Sequence, residues 1–165
     1  MSDTRRTLYD DDILLWSEQQ AEAIRLLGGR RDLPNAFDAE NVAEEIESVG
    51  RSELAAVKSQ IRLICLHLIK LATDPDSDAA RHWRGELVAF HAELIGRYAP
   101  SMRQRIDLAA LWVSALEQRT QERGETSLPG TVSLPARPPF ALDDLLADRI
   151  DSGRLVEQVR GAAPA

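Results

Sequence analysis

Glu44, Glu45 and Glu47 crowd one turn of the segment "NVAEEIESVGRSE", residues 41–53. On a helix Glu40, Glu44 and Glu47 stack along one side, while Glu45 points to another. Carboxylates at this spacing can hold a hard cation through oxygen and can act as general acid and base. Joined by Asp12 from upstream, Glu44 and Glu45 form a candidate set for Mg²⁺ or Mn²⁺, which would activate a water for hydrolysis. His67 and Lys70 complete the candidate catalytic residues, His67 because imidazole titrates near neutrality. The same spacing equally suits a solvated helix face, with Glu47 pairing Arg51 one turn later.

Distance constrains these residues. Glu45 and His67 are 22 positions apart, on the order of 33 Å along one straight helix. They share a site only if the helix breaks and reverses at Gly50, or across two chains. On an unbroken helix His67, Lys70 and Trp83 would form a cluster of their own near "TDPDSD", residues 73–78. Asp12, Trp16 and Gln20 follow an i, i+4, i+8 stripe, which fits a polar pocket edged by an aromatic or plain packing. His91 lies on an apolar stripe as a core residue, and His82 points away from it. The single cysteine, Cys65, stands in "RLICLHLIKLA", where a thiol packs as a small hydrophobe. One cysteine allows neither an intrachain disulfide nor a multi-cysteine zinc site. No His-x-x-His, P-loop or Gly-x-Ser-x-Gly pattern occurs.

The elements that must position these groups are helical. Apolar residues recur at 3.6-residue spacing, and no segment alternates as a strand does. The pattern predicts a first helix over 10–27 with Tyr9, Ile13, Trp16, Gln20, Ile24 and Leu27 inward. It predicts a second over 39–72, capped by Asp38 and bent or broken at Gly50. Its inner residues are Val42, Ile46 and Val49, then Leu54, Val57, Ile61, Ile64, Leu68 and Leu71. A third covers 78–98 and a fourth 101–123. The fourth has a main stripe of Met102, Ile106, Ala109, Val113 and Leu116, and a second of Leu108, Leu111, Trp112 and Ala115. A helix apolar on two sides is central or meets a partner, so Leu108, Leu111 and Trp112 are candidate interface residues. After "GETSLPGTVSLPARPPF", a proline-rich crossing, a short helix over 142–150 could cover that second stripe. The expected fold is all-α: a bundle of about four main helices plus a short C-terminal helix. A tail over 1–9, one helical domain over 10–150 and a tail over 151–165 make up the chain.

The chain has 165 residues and a net charge of −7. That length suits one domain with a core, and the acidic balance opposes broad nucleic-acid binding. Neither a signal peptide nor a bilayer-length apolar run is present, so a soluble cytoplasmic protein is expected.

The sequence "LYDDDILLWSEQQ", then "NVAEEIESVGRSE", then "LICLHLIK" and Trp83, resembles the bacterial domain-of-unknown-function family numbered twenty-nine. The positions that carry the resemblance include Tyr9, Asp12, Trp16, Gln20, Asn41, Glu44, Glu45, Glu47, Gly50, Arg51, His67 and Lys70, within about residues 8–150. Two departures stand out: a tryptophan usual in that family is Leu71 here, and its Pro-Tyr-Thr turn reads "PPFAL", without the threonine cap. The resemblance implies an almost wholly helical domain and no established activity, a nuclease-like role being the one suggestion.

Two functions follow as expectations. The first is a helical module that binds a protein partner or forms a homo-oligomer such as a dimer, with no cofactor. The alternative is a metal-dependent hydrolase, an endonuclease-like phosphodiesterase built on the helix-borne carboxylates.

Overall fold

The structure, a computed structural model, describes residues 7–124 and 134–162. All its regular elements are helices, and no strand occurs among the described residues. Contacts divide the chain into two compact units, Met1–Ala56 with Arg97–Ile106, and Val57–Gly96 with Asp107–Ala165.

In the first unit the expected opening helix is two helices, α1 (Leu8–Asp11) and α2 (Ile13–Gly28). Asp12 makes the break. Its backbone leaves helical geometry and its carboxylate accepts the Leu15 amide at 3.0 Å, so an acidic residue expected inside a helix is an N-cap. The buried face of α2 is Leu14, Ser17 and Ala21, not the predicted one. Trp16 is half-buried, Gln20 is exposed, and Tyr9, 55% exposed, stacks edge-on against Trp16 at 4.8 Å.

Small residues explain that rotation. The third helix, α3 (Ala39–Thr73), runs unbroken through Gly50, which is buried. A Cβ on Gly50 would overlap the Ser17 hydroxyl and lie 3.1 Å from the Leu14 Cα. At the far end of the same antiparallel seam, a Cβ on Gly28 would lie 2.6 Å from that of Ala39. Ala21 and Ala43 are fully buried between these points, and Val42 and Val49 are left 38% and 44% exposed. Close helix approach is therefore what Gly50 provides, at a helix-propensity cost of about 1 kcal/mol. Asp38 caps α3 as expected, accepting the Asn41 amide at 3.1 Å.

In the second unit α3 becomes the core. Val57, Ile61, Ile64, Leu68 and Leu71 are buried as the spacing predicts, and Ile64 through Ile69 are buried all round. Helix α4 (Ala80–Arg97) buries Ala80, Leu87, His91 and Leu94. The predicted fourth helix is shorter. Pro100–Arg105, in the first unit, is a 3₁₀ turn, and α5 (Leu108–Arg123) starts at the N-cap Asp107. Two short helices follow, α6 (Leu142–Leu145) and α7 (Ser152–Gly161). At the start of α6 the N-cap is Ala141, which has no side-chain cap, and Asp144 accepts the Ala141 amide at 2.8 Å. The segment expected as a C-terminal tail is α7, with Leu155 and Val159 fully buried. From it the Arg160 guanidinium donates to the Leu71 and Ala72 carbonyls at 3.0 and 3.3 Å, capping the last turn of α3.

Candidate functional site

Because α3 is unbroken, Glu44 and Glu45 belong to the first unit and His67 and Lys70 to the second. Each set has its own surroundings.

In the first unit Asp12 is 6% exposed. Besides capping α2, it accepts the Ser101 amide at 2.9 Å and the Ser101 hydroxyl at 2.6 Å. Burial pushes this carboxyl up, but the Ser101 hydroxyl and the Leu15 and Ser101 amides outweigh it and hold it below its ordinary value. Glu44 is exposed and pairs with Arg51. Glu45 is exposed and has no ion-pair partner among the described residues. Glu47 meets Arg25 through two hydrogen bonds of 2.8 and 3.0 Å, and Arg51 at the longer distance of 3.5 Å. The Arg25 pairing lowers the Glu47 carboxyl, despite a small opposing effect of burial. Asp12, Glu44 and Glu45 therefore do not converge. Among the described residues no group of three or more His, Cys, Asp or Glu side chains could hold a metal ion. The first turns of α3 are a wet helix face tied to α2 by the Arg25–Glu47 pair.

In the second unit the sequence-predicted cluster of His67, Lys70 and Trp83 does form. Lys70 Nζ lies 2.9 Å from Glu122 and 5.8 Å from the Trp83 ring centre. The Arg119 guanidinium carbon lies at the same 5.8 Å from that ring, so two cations flank one indole. Arg119 is 8% exposed and pairs with Asp74. Arg123 joins Asp74 at 2.9 Å, and the Thr73 hydroxyl donates to the same carboxylate at 2.7 Å. Burial raises the Asp74 carboxyl, but the Thr73 hydroxyl and the two guanidinium groups prevail and lower it. Burial likewise raises Glu122, and its hydrogen bonds from Lys70 and Gln118 more than reverse this. Asp74, Glu86, Arg119, Glu122 and Arg123 are the members that sequence reasoning missed. The signal was available: Arg119, Glu122 and Arg123 share one face of α5 at i, i+3, i+4 spacing.

His67 is 4% exposed. Its Nδ1 donates to the Leu63 carbonyl at 2.8 Å, and its Nε2 meets the Glu86 carboxylate at 2.9 Å. The hydrogen bond with His67 lowers the Glu86 carboxyl against a small effect of burial. Both ring nitrogens are engaged within the chain. Lys70 is held in the same way by its ion pair. The cluster joins α3, α4 and α5 by charge neutralisation, three fixed cations against three carboxylates. His91 is a core residue as expected, its Nε2 donating to the Ala147 carbonyl at 2.9 Å. Cys65 is fully buried, and burial pushes its thiol up to about 12.

Of the residues expected at an interface on α5, Trp112 lies inside the chain. Trp112 is 0% exposed, donates its indole N–H to the Pro135 carbonyl at 2.9 Å and stacks edge-on against Phe140 at 5.7 Å. Ala115 is buried, and Leu108 and Leu111 are half-buried. Pro135 and Phe140, in the described end of the proline-rich crossing, lie against Trp112. Val113, on the stripe expected inside, is 44% exposed. Spacing marked both stripes; the larger indole with its polar N–H identifies the buried one.

An unclaimed surface lies on α4. Gly85, Val88, Ala89, Ala92, Ile95 and Gly96 are exposed and adjoin one another at helical spacing, with Val88 at 59% and Ile95 at 37%. With Asp148, Arg149 and Ile150, Val88, Ala92 and Ile95 line a groove of about 340 Å³.

Comparison with known proteins agrees with this fold. A crystal structure described as an alpha-helical protein of unknown function, from Rhodospirillum rubrum ATCC 11170, is 33% identical, with a TM-score of 0.86 over 94% of this chain and 99% of that one. No curated protein matches the chain. No helix among the described residues is long and apolar enough to cross a membrane. The family profile of the domain of unknown function DUF29 matches residues 8–150, and the chain belongs to that family.

Proposed function

We propose that this chain is a non-enzymatic interaction module whose contact surface is the outer face of α4. One observation carries the reading. Gly85 lies inside α4 and Gly96 in its last turn, and a Cβ built on either meets nothing within 4 Å. A glycine within a helix costs about 1 kcal/mol relative to alanine, and packing within the chain offsets none of it at Gly85. Val88, Ala89, Ala92 and Ile95 between them add apolar surface without a charge. Small residues in a continuous apolar strip suit another element approaching closely.

A photo-crosslinking residue at Val88, in the protein's own cells, tests the reading. The control is the same residue at Val113, an exposed valine on α5. The reading expects a discrete adduct from Val88 and none from Val113. Equal labelling at both sites, or none at Val88, refutes it.

A further inference from the structure

We infer that the first unit carries a self-association face, on which two copies of this chain pack antiparallel, α2 against α2, about a two-fold axis through Gln20. None of its residues belongs to α4, so it stands apart from the reading above. Its position follows from the Arg25 ion pairs. On α2, Arg25 lies to one side of the packed line of Leu14, Ser17 and Ala21, and Ile13, Trp16, Gln20, Ile24 and Leu27 lie to the other. On α3, Glu40 and Glu47 lie to one side of the buried Ala43 and Gly50, and Val42, Ile46 and Val49 to the other. Arg25 bonds both Glu40 and Glu47. The charged flanks of the two helices therefore coincide, and so do the apolar ones, as one layer over both helices. In that layer Leu27, Val42 and Val49 are exposed and Trp16, Ile24 and Ile46 only half-buried.

The spacing of the α2 stripe identifies a second copy as the occupant. Its five members stand 3, 4, 4 and 3 residues apart, a pattern that reads the same in both directions from Gln20. An antiparallel copy therefore meets the stripe in register: Ile13 faces Leu27, Trp16 faces Ile24, and Gln20 faces Gln20. A two-fold contact requires this self-complementarity. Gln20 is the polar member of the stripe. Its side chain is exposed and has no hydrogen-bond partner among the described residues. A carboxamide both donates and accepts, so two of them can pair across the axis, and one polar residue in a helical seam fixes its register. Charge permits the approach. The chain carries a net −7, yet the stripe holds no charged residue, and Glu53, one turn beyond Val49, is met by Arg97 at 3.0 Å. Size is sufficient as well. Two helices as long as α2, side by side, present roughly 24 by 20 Å, so a pair of copies buries about 1,000 Å², the size at which a specific contact becomes stable. Two such hairpins face to face form a four-helix arrangement.

Sedimentation of the full chain over a concentration series tests the inference, with circular dichroism checking that each variant folds. The expected result is a monomer–dimer equilibrium. Gln20→Glu weakens the dimer on the order of a hundredfold, because two carboxylates meet across the axis. Gln20→Leu tightens it roughly tenfold, since a polar residue in a helical seam sets register at a cost in stability. Position 20 is exposed on the helix, so neither change disturbs the fold of the single chain. A chain that is monomeric at every concentration overturns the inference. A dimer unchanged by Gln20→Glu overturns it too, and one that Ala92→Glu dissolves instead moves the contact to α4.

Discussion

Replacing Gly50 with alanine sets two opposed effects against each other. Within α3 the change is favourable, since alanine is preferred over glycine in a helix interior by about 1 kcal/mol. Against α2 it is unfavourable. The new Cβ would overlap the Ser17 hydroxyl and reach 3.1 Å from the Leu14 Cα and Cδ1. Neither neighbour yields easily. Ser17 is fully buried with its hydroxyl donating to the Leu14 carbonyl at 2.8 Å, and the Leu14 Cα is backbone. Overpacking of this kind costs about 1–3 kcal/mol and often more when backbone must shift, so Gly50→Ala should lower stability by about 1–2 kcal/mol net. For a chain of this size that is a fall in Tm of about 2–8 °C. Thermal unfolding followed by circular dichroism measures it. Ser17→Ala in the same background should recover part of the loss, because the first overlap disappears, and this coupling separates packing from propensity. A Gly50→Ala protein as stable as the parent would refute the close approach of α2 to α3.

Other consequences can be checked with the same unfolding assay. Asp12→Ala should cost about 2–4 kcal/mol, the N-cap being lost and the Ser101 amide left without its acceptor; Asp12→Asn should cost less, because asparagine also caps. Acid should destabilise the fold through Asp12, Asp74, Glu86 and Glu122, whose folded carboxyls all lie below their ordinary values. A lowered folded value means that the stabilisation is complete above the unfolded value, about 3.9 for Asp and 4.3 for Glu, and is lost as pH falls through the folded one. Tm should therefore fall steadily below about pH 5, and a flat profile down to about pH 3 would contradict these pairings. Trp112→Phe should cost about 2–3 kcal/mol by leaving the Pro135 carbonyl unpaired and a void beside Phe140. It should also make the segment from 134 onward more sensitive to protease, with an unchanged cleavage pattern counting against its role as an anchor.

Helical class and the extent of the main helices were legible because a 3.6-residue period survives single exceptions. The second half of α3 was legible residue by residue, since large aliphatic side chains mark a buried face directly. The face of α2 was not. Following the largest residues led to Trp16 and Leu27, whereas the packed face is Leu14, Ser17 and Ala21, chosen by how closely a neighbour with Gly50 can approach. Small residues carry weak hydropathy and strong geometry, and only the partner helix reveals which matters. The same ambiguity inverted the two stripes of α5, where a chain segment more than twenty residues away in sequence covers Trp112. Among the candidate site residues, the grouping of Lys70 and His67 with Trp83 was legible because the first two lie near the end of α3 and Trp83 near the start of α4, across a short turn. That Lys70 meets Glu122 and His67 meets Glu86 depends on α5 and α4 and could not be read locally. Glu44 and Glu45 show the limit of spacing arguments: carboxylates at metal-compatible positions on one helix become a site only when another element brings a further ligand.

The α4 face can be probed without knowing its partner, because Cys65, the only cysteine, is fully buried with its thiol pushed up to about 12 and should stay silent to a thiol reagent. Cysteines introduced singly at Ala92 and at Val113 would be labelled with a membrane-permeant maleimide in the protein's own cells and again in dilute purified protein. The measurement is the ratio of the two labelling rates in each setting. A ratio that falls in cells, with Ala92→Cys protected and Val113→Cys unchanged, is the result predicted for a contact surface on α4. Equal ratios in cells and in dilute solution would contradict it.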